Sequence, residues 1–236
     1  MPATAKRRQA VIAKKRFALI ERITQSIYYH YIEEGKRCYV YTAPRDLAPC
    51  APCGCSVSWD HKDYLPRAPE TRTPEFRAMN PNGRVPVIDD DGFVLSESMA
   101  INLYLAKKHK SPLYPSDPRN EALAWQWSLW ETDRLDRQIV NYVRHTTEFP
   151  EAERKKEIAE AAWQQVTESF DVLEAALAKA EWLAGPAFSV GDLNVAAALY
   201  RALAIDTKKW PRVQTWLHRC WERPAAKRAR AMREDK

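Results

Sequence analysis

The feature that most constrains the fold is a strand, a tight turn, a second strand and a helix that follow one another directly. Residues 84–88 (RVPVI) and 93–95 (FVL) have the β-branched and aromatic side chains that are typical of strands. Residues 89–92 (DDDG) between them have the composition of a hairpin turn. Ser96 then opens a helix whose apolar side chains recur over two turns. The sequence therefore predicts a β-turn-β-α unit.

The chain after residue 119 shows only helical patterns. A segment with three prolines, residues 110–118, separates it from the β-turn-β-α unit and is the best candidate for a domain boundary. We predict an α/β domain over residues 36–110 and an all-helical domain over 119–236, preceded by a basic segment, 1–35, whose pattern defines no clear structure. Apolar side chains recur at helical spacing in four runs, at 121–144, 151–181, 192–204 and 213–222.

The positive charge of the chain is concentrated at its front. Residues 1–67 hold 12 Lys and Arg against 6 Asp and Glu, whereas the remainder holds 25 of each. Clustered cations favour nucleic acids, but this segment lacks interleaved aromatic side chains apart from Tyr28, Tyr29 and Tyr31, so no nucleic acid partner is predicted. Without an 18-residue apolar run or a secretory apolar core, we predict no membrane contact and a cytoplasmic location.

Four of the five cysteines lie between residues 38 and 55. A C-x-x-C motif at a helix N-terminus lowers the pKa of one thiol and supports disulfide exchange. Cys50 and Cys53 form such a motif and are the candidate catalytic residues of a Cys-dependent thiol-disulfide oxidoreductase. A zinc site of Cys50, Cys53, Cys55 and His61 would have four ligands, but their spacing matches no familiar closed site. We therefore predict no metal.

Val85 and Pro86 stand where the first strand of the hairpin begins. A proline there has no N–H for the sheet, which is typical of an edge strand. Such a proline is also often cis, and the Val85 N–H and C=O would then be available to an extended peptide bound like an added strand. The sequence leaves both interpretations open.

Ser96, Glu97 and Ser98 surround the start of the predicted helix. A helix N-terminus exposes N–H donors and attracts a carboxylate, and Glu97 could pair with an ammonium group. Together with the Ser98 hydroxyl and N–H, it would suit the zwitterionic end of an α-amino acid. The alternative is structural, with Ser96 as the N-cap and Glu97 as a first-turn acid.

A capping box is predicted at the start of the most apolar helix. Ser189 can cap the helix, and Asp192, three residues later, can return the bond with Asp in place of Glu or Gln. We assign this pair a role in folding rather than in chemistry.

Five short motifs, in this order and spacing, resemble a bacterial-type cytosolic glutathione transferase. They are TRTPEF (71–76), NPNGRVPV (80–87), LSESMAI (95–101), FSVGDLN (188–194) and RPA (223–225). The resemblance covers residues 70–225 and implies a thioredoxin-like N-terminal domain, here incomplete or aberrant at its start, followed by an all-α helical-bundle C-terminal domain. It also implies a homodimer.

The resemblance assigns roles to residues of the β-turn-β-α unit. It implies that Val85 pairs with the cysteinyl backbone of glutathione, that Pro86 is cis, and that Glu97 and Ser98 hold the γ-glutamyl end. Arg84, directly before Val85, is counted among the glutathione-binding candidates. Three aromatic residues are candidates for packing or for the wall of an electrophile pocket, with packing the stronger interpretation; these are Trp127, Trp130 and Tyr142.

The front of the chain does not match the family. There the family carries the Ser, Cys or Tyr that stabilises the glutathione thiolate, so the catalytic residue is not identified. Reading the codons of residues 49–61 one base later permits a sequence that resembles the family's first helix, and no Met lies between Met1 and Met79. Our hypothesis is that roughly residues 1–62 are translated out of frame, which the sequence of the coding DNA would decide.

The leading functional prediction is a detoxifying enzyme that conjugates or reduces small electrophiles with glutathione as co-substrate. Two alternatives stay open at this point. One is a non-catalytic glutathione-transferase-like binding or stress protein, and the other is the thiol-disulfide oxidoreductase that uses Cys50 or Cys53.

Overall fold

The computed structural model describes residues 69–227 and 230, together with the backbone of two strands at 38–42 and 60–64. The chain divides into two compact units between Leu113 and Tyr114, and Tyr114–Lys227 form the second of them. The predicted domain limits of 36–110 and 119–236 remain predictions. The segment 1–35, Cys50, Cys53, Cys55 and the side chain of His61 lie outside the described residues.

The first unit contains a sheet of four described strands, which are β1 (Cys38–Thr42), β2 (Asp60–Tyr64), β3 (Val87–Asp90) and β4 (Phe93–Ser96). Their order in the sheet is β2-β1-β3-β4. β1 pairs antiparallel with β2 and parallel with β3, and β3 pairs antiparallel with β4. β1 has the sequence CYVYT, whose aromatic and β-branched side chains are typical of a strand, whereas β2 was not predicted because its sequence, DHKDY, has no apolar alternation.

The predicted start of the hairpin at residue 84 is wrong by three residues, since β3 begins at Val87. The Arg84 carbonyl accepts a hydrogen bond from the Asn80 side chain, at 2.7 Å, instead of one from a neighbouring strand. Pro86 has no N–H to give to the ladder. These two residues therefore belong to the loop that leads into the strand.

Residues 69–113 of the first unit also contain two α-helices and the 3-10 helix Pro69–Arg72. Helix α1 (Pro74–Met79) has a proline in its first turn, and the Thr73 hydroxyl caps it by accepting the N–H of Phe76 at 3.3 Å. Helix α2 (Ser98–Lys108) follows β4. Lys107 and Lys108 lie in its last turn, where cations are favoured by the helix dipole.

The described residues of the second unit form helices and no strand, as predicted, but the first predicted helix is two helices. The chain breaks at Leu135 (φ −116°, ψ −53°), whose side chain is completely buried. A short π-helical segment, Arg144–Glu148, and a 3-10 segment, Leu199–Ala204, extend α4 and α6. The main helices are α3 (Pro118–Arg134), α4 (Asp136–Val143), α5 (Lys156–Leu177), α6 (Val190–Ala198) and α7 (Pro211–Trp221).

Asp192 is the polar centre of this helical unit. The predicted capping box is confirmed: Ser189 donates its N–H and hydroxyl to Asp192, both at 3.0 Å. The Leu183 N–H and the Trp216 indole N–H donate to the other carboxylate oxygen, at 2.8 and 2.9 Å. Burial raises the pKa of Asp192, and the four hydrogen bonds oppose that effect. One carboxylate thus joins α6, α7 and the loop before α6.

Replacing Asp192 with Asn should destabilise the protein. The Asn amide group would bring N–H donors towards the Ser189 N–H and hydroxyl, so that buried donors lose their acceptor. We expect a loss of about 1–3 kcal/mol in the free energy of unfolding, measured by urea titration. Asp133→Asn, which changes an acid that is 73% exposed, should stay close to the wild type. Equal stability of the two variants would contradict this role.

Candidate functional site

The register of the hairpin brings the predicted glutathione-binding residues together. Val87 pairs with Ser96 at the open end of the β3–β4 hairpin. In an antiparallel pair, the residues before one strand and after the other leave the sheet at the same end. The residues concerned are Val85 and Pro86 on one side, and Glu97 and Ser98 on the other.

Val85 is held by its side chain, while its backbone N–H has no partner in the described part of the chain. The side chain is 4% exposed and packs in a small core with Phe76, Val87 and Met79. The Val85-Pro86 peptide bond is cis, as the resemblance implies. Among the described residues, no hydrogen bond involves the Val85 backbone. An extended ligand could therefore bond to it.

Gly83 makes the loop before Val85 tight. Its φ of +60° favours glycine, and a Cβ atom there would lie 2.8 Å from the Thr71 carbonyl oxygen. Arg84 follows with an exposed side chain. The loop therefore approaches residue 71 too closely for any side chain at position 83.

The helix start differs from the prediction. Ser96 is the last residue of β4 and pairs with Val87, so it is not the N-cap, and the structural alternative for this motif is wrong. Helix α2 begins at Ser98, and Glu97 is its N-cap residue but makes no side-chain cap hydrogen bond. Ser96 cannot cap because its backbone is still extended within the hairpin.

Glu97 has a backbone conformation that is rare for a residue with a side chain. Its φ is 71° and its ψ is 116°, and such conformations cost about 1–3 kcal/mol and cluster at functional sites. Its side chain is exposed and has no hydrogen bond or ion pair among the described residues. The residue with this strained backbone therefore carries an exposed carboxylate at the open end of the β3–β4 hairpin.

The first N–H groups of α2 lie beside Glu97, at the open end of the β3–β4 hairpin. The first bond within the helix runs from the Ile101 N–H to the Glu97 carbonyl, at 2.9 Å. The N–H groups of the three preceding residues have no partner within the helix. These donors and the Glu97 carboxylate together could bind the α-carboxylate and α-ammonium groups of one amino acid.

A polar cluster fixes α2 against β3. The Tyr104 hydroxyl donates to the Asp90 carboxylate at 2.5 Å, and the Lys108 ammonium group binds the same oxygen. Burial raises the pKa of Asp90, but these two donors outweigh it and leave the pKa below its usual value. The ionised cluster holds the helix that begins at Ser98.

The other sequence candidates do not extend this site. Trp127 is buried and meets Trp130 edge-on, with ring centroids 5.1 Å apart, and Tyr142 stacks on Trp163 at 4.6 Å. Each aromatic residue thus has a packing partner. Cys50 and Cys53, the catalytic candidates of the sequence, lie outside the described residues.

The side chains that the structure describes form no metal site, and the Cys220 thiol among them is buried. No group of three or more His, Cys, Asp or Glu residues in this part of the chain is arranged to hold a metal ion. No helix within the same residues has the length and apolar character needed to cross a membrane. Cys220 is buried, and burial raises its pKa well above the usual value, so its thiol is unsuited to be a nucleophile.

Comparisons with known proteins match both units. The profile of the glutathione S-transferase N-terminal domain matches residues 55–108, and that of the C-terminal domain matches residues 135–224. Glutathione S-transferase GstB of Escherichia coli is 33% identical over 159 residues, which are 65% of this chain and 76% of the relative. Glutathione S-transferase D7 of Anopheles gambiae is 30% identical over 64% of this chain and 69% of the relative.

A solved glutathione S-transferase structure is also similar to this chain. The theta class glutathione S-transferase of Xanthomonas axonopodis pv. citri, determined with glutathione bound, is 35% identical with a TM-score of 0.63, over 67% of this chain and 78% of that one. The fold is thus a thioredoxin-like N-terminal domain followed by a helical C-terminal domain. The chain belongs to the glutathione S-transferase family. It is a transferase with glutathione as co-substrate.

Replacing Glu97 with Gly should relieve the backbone strain. Because glycine adopts positive φ without steric cost, Glu97→Gly should exceed Glu97→Ala in the free energy of unfolding by about 1 kcal/mol. The matched pair at Glu168, an exposed residue inside α5, should show the opposite order, with Gly about 1 kcal/mol worse than Ala. If urea titrations show the Gly variant to be less stable than the Ala variant at both positions, the Glu97 backbone is not strained.

Proposed function

We propose that this transferase binds glutathione along the open end of the β3–β4 hairpin. The observation that carries the proposal is the strained Glu97 beside the free N–H groups of α2, directly after a strand residue that pairs with Val87. In this arrangement Glu97 pairs with the γ-glutamyl ammonium group. Ser98 and the helix N-terminus bind its carboxylate, and Val85 bonds to the cysteinyl backbone.

Arg84 is the remaining member of the proposed site. Its side chain is exposed and directly precedes Val85, so it can reach a carboxylate beyond the cysteinyl residue. We assign it to the glycyl end of the tripeptide by this position. The site then pairs each charged end of glutathione with a group of opposite charge or a helix N-terminus.

The reaction proposed is attack by the glutathione sulfur on a small electrophile. With a halodinitrobenzene, the sulfur–carbon bond forms, the carbon–halogen bond breaks, and the halide leaves with its electron pair. The thiol proton passes to solvent. The described residues bind and orient the tripeptide, and this positioning supplies part of the acceleration. Absorbance of the thioether would measure turnover, and its absence in a chain that binds glutathione would favour the non-catalytic alternative.

The role in the cell follows from this chemistry. We propose detoxification of electrophiles in the cytoplasm, supported by the resemblance to cytosolic family members.

Removing the Glu97 carboxylate should weaken glutathione binding. Glu97→Ala deletes the partner of the ammonium group, and a hydrogen bond to a charged group contributes about 1.5–3 kcal/mol. Calorimetric titration with glutathione should show that loss, whereas Glu168→Ala should bind as the wild type does. Equal affinity of wild type and Glu97→Ala would sink the assignment.

We also propose a homodimer, supported by an exposed apolar pair on α3. Trp125 is 43% exposed and Leu129 is 65% exposed, and residues four apart lie on one face of a helix. Such a face is favourable against a second copy of the chain because it removes apolar surface from water.

A charge at this face should dissociate the dimer. Leu129→Glu places a carboxylate in the proposed interface, and we expect sedimentation velocity to show a shift from dimer to monomer at micromolar concentration. Val172→Glu, which charges an exposed apolar residue (48% exposed) on α5, should leave the dimer intact. A dimer that survives Leu129→Glu would place the interface elsewhere.

A further inference from the structure

Asn80 is a buried polar residue whose side-chain nitrogen and oxygen both form hydrogen bonds to the loop before Val85. It is 2% exposed and follows the last residue of α1. Its Nδ2 donates to the Arg84 carbonyl at 2.7 Å, and its Oδ1 accepts the Asn82 N–H at 3.1 Å. Its backbone carbonyl accepts the Gly83 N–H at 2.9 Å. Asn80 therefore braces the whole loop.

The hydrogen bond from Asn80 to the Arg84 carbonyl also affects the Val85 N–H. The Arg84 carbonyl and the Val85 N–H belong to the same peptide unit, which is planar and trans, so the two groups point in opposite directions. Fixing the carbonyl therefore fixes the direction of the N–H. The Val85 side chain, packed against Phe76 and Val87, prevents the unit from turning about the neighbouring bonds.

We propose that Asn80 is a positioning residue for glutathione, which aims the Val85 N–H at the cysteinyl carbonyl of the tripeptide. The proposal rests on the proposed function, because it requires that Val85 contacts the ligand. Asn80 itself does not touch glutathione. It holds the donor in place before the ligand arrives, so that no ordering of this peptide unit is needed on binding.

The first test is the affinity of Asn80→Ala for glutathione, measured by calorimetry. Loss of the brace should weaken binding about fivefold, the effect of one neutral hydrogen bond. Asn82→Ala is the matched control, since it changes an exposed Asn in the same loop whose backbone N–H, and not its side chain, bonds to Asn80. It should bind as the wild type does.

A double-mutant cycle separates positioning from collapse of the site. If Asn80 acts only through Val85, the losses from Asn80→Ala and Glu97→Ala should add in the double variant. If Asn80→Ala instead disrupts the whole site, Glu97→Ala should have no further effect, and the proposal is overturned. Should Asn80→Ala not fold, Asn80→Asp keeps the acceptor for the Asn82 N–H, loses the donor to Arg84, and should weaken binding at least as strongly.

The Val85 amide signal gives a direct readout. In protein labelled with ¹⁵N-valine, addition of glutathione should shift the Val85 amide resonance of the wild type and of Asn82→Ala, and shift it much less in Asn80→Ala. An undiminished shift in Asn80→Ala would overturn the positioning role. Wild-type protein that does not bind glutathione, or that binds without any effect of Glu97→Ala, would instead overturn the proposed function.

Discussion

The antiparallel register of β3 and β4 determines the geometry of the proposed glutathione site, and this register is set at the opposite end of the hairpin. Asp91 and Gly92 both have positive φ, 55° and 89°, as a two-residue type I′ turn requires. The Asp89 carboxylate accepts the Gly92 N–H at 2.7 Å and closes the turn. With the turn fixed, Val87 must meet Ser96. A slip of one residue would turn every side chain of one strand to the other face.

This dependence explains which parts of the site could be predicted from the sequence. The hairpin was predictable because its turn residues and β-branched strands are local signals. The helix start was not, because Ser is a preferred N-cap residue and Glu is not, so the local sequence favours Ser96 over Glu97. The cross-strand pairing with Val87 keeps Ser96 extended and moves the N-cap to Glu97. The strain at Glu97 follows from this shift and has no sequence signal of its own.

The difference between local sequence signals and long-range contacts also explains the predictions for the rest of the fold. The capping box at Ser189 was predictable because it lies within four residues. The break at Leu135 was missed because no Gly or Pro marks it, and the burial of its side chain is decided by packing within the helical unit. β2 was missed because its polar sequence forms a strand only through its pairing with β1. Long-range contacts thus account for each of these errors.

Binding and turnover depend on different parts of this chain. The groups proposed to bind glutathione are the Val85 backbone, the Arg84 and Glu97 side chains, and the Ser98 hydroxyl at the helix N-terminus, and all of them lie between residues 84 and 101. Each is held from within the first unit: Asn80 braces the loop, and the Asp90 cluster fixes α2. The Ser, Cys or Tyr with which the family stabilises the thiolate is expected in the residues that precede these groups. Glutathione affinity therefore reports on the described residues, whereas the rate of conjugation also reports on the residues that precede them, and the two measurements can give different answers.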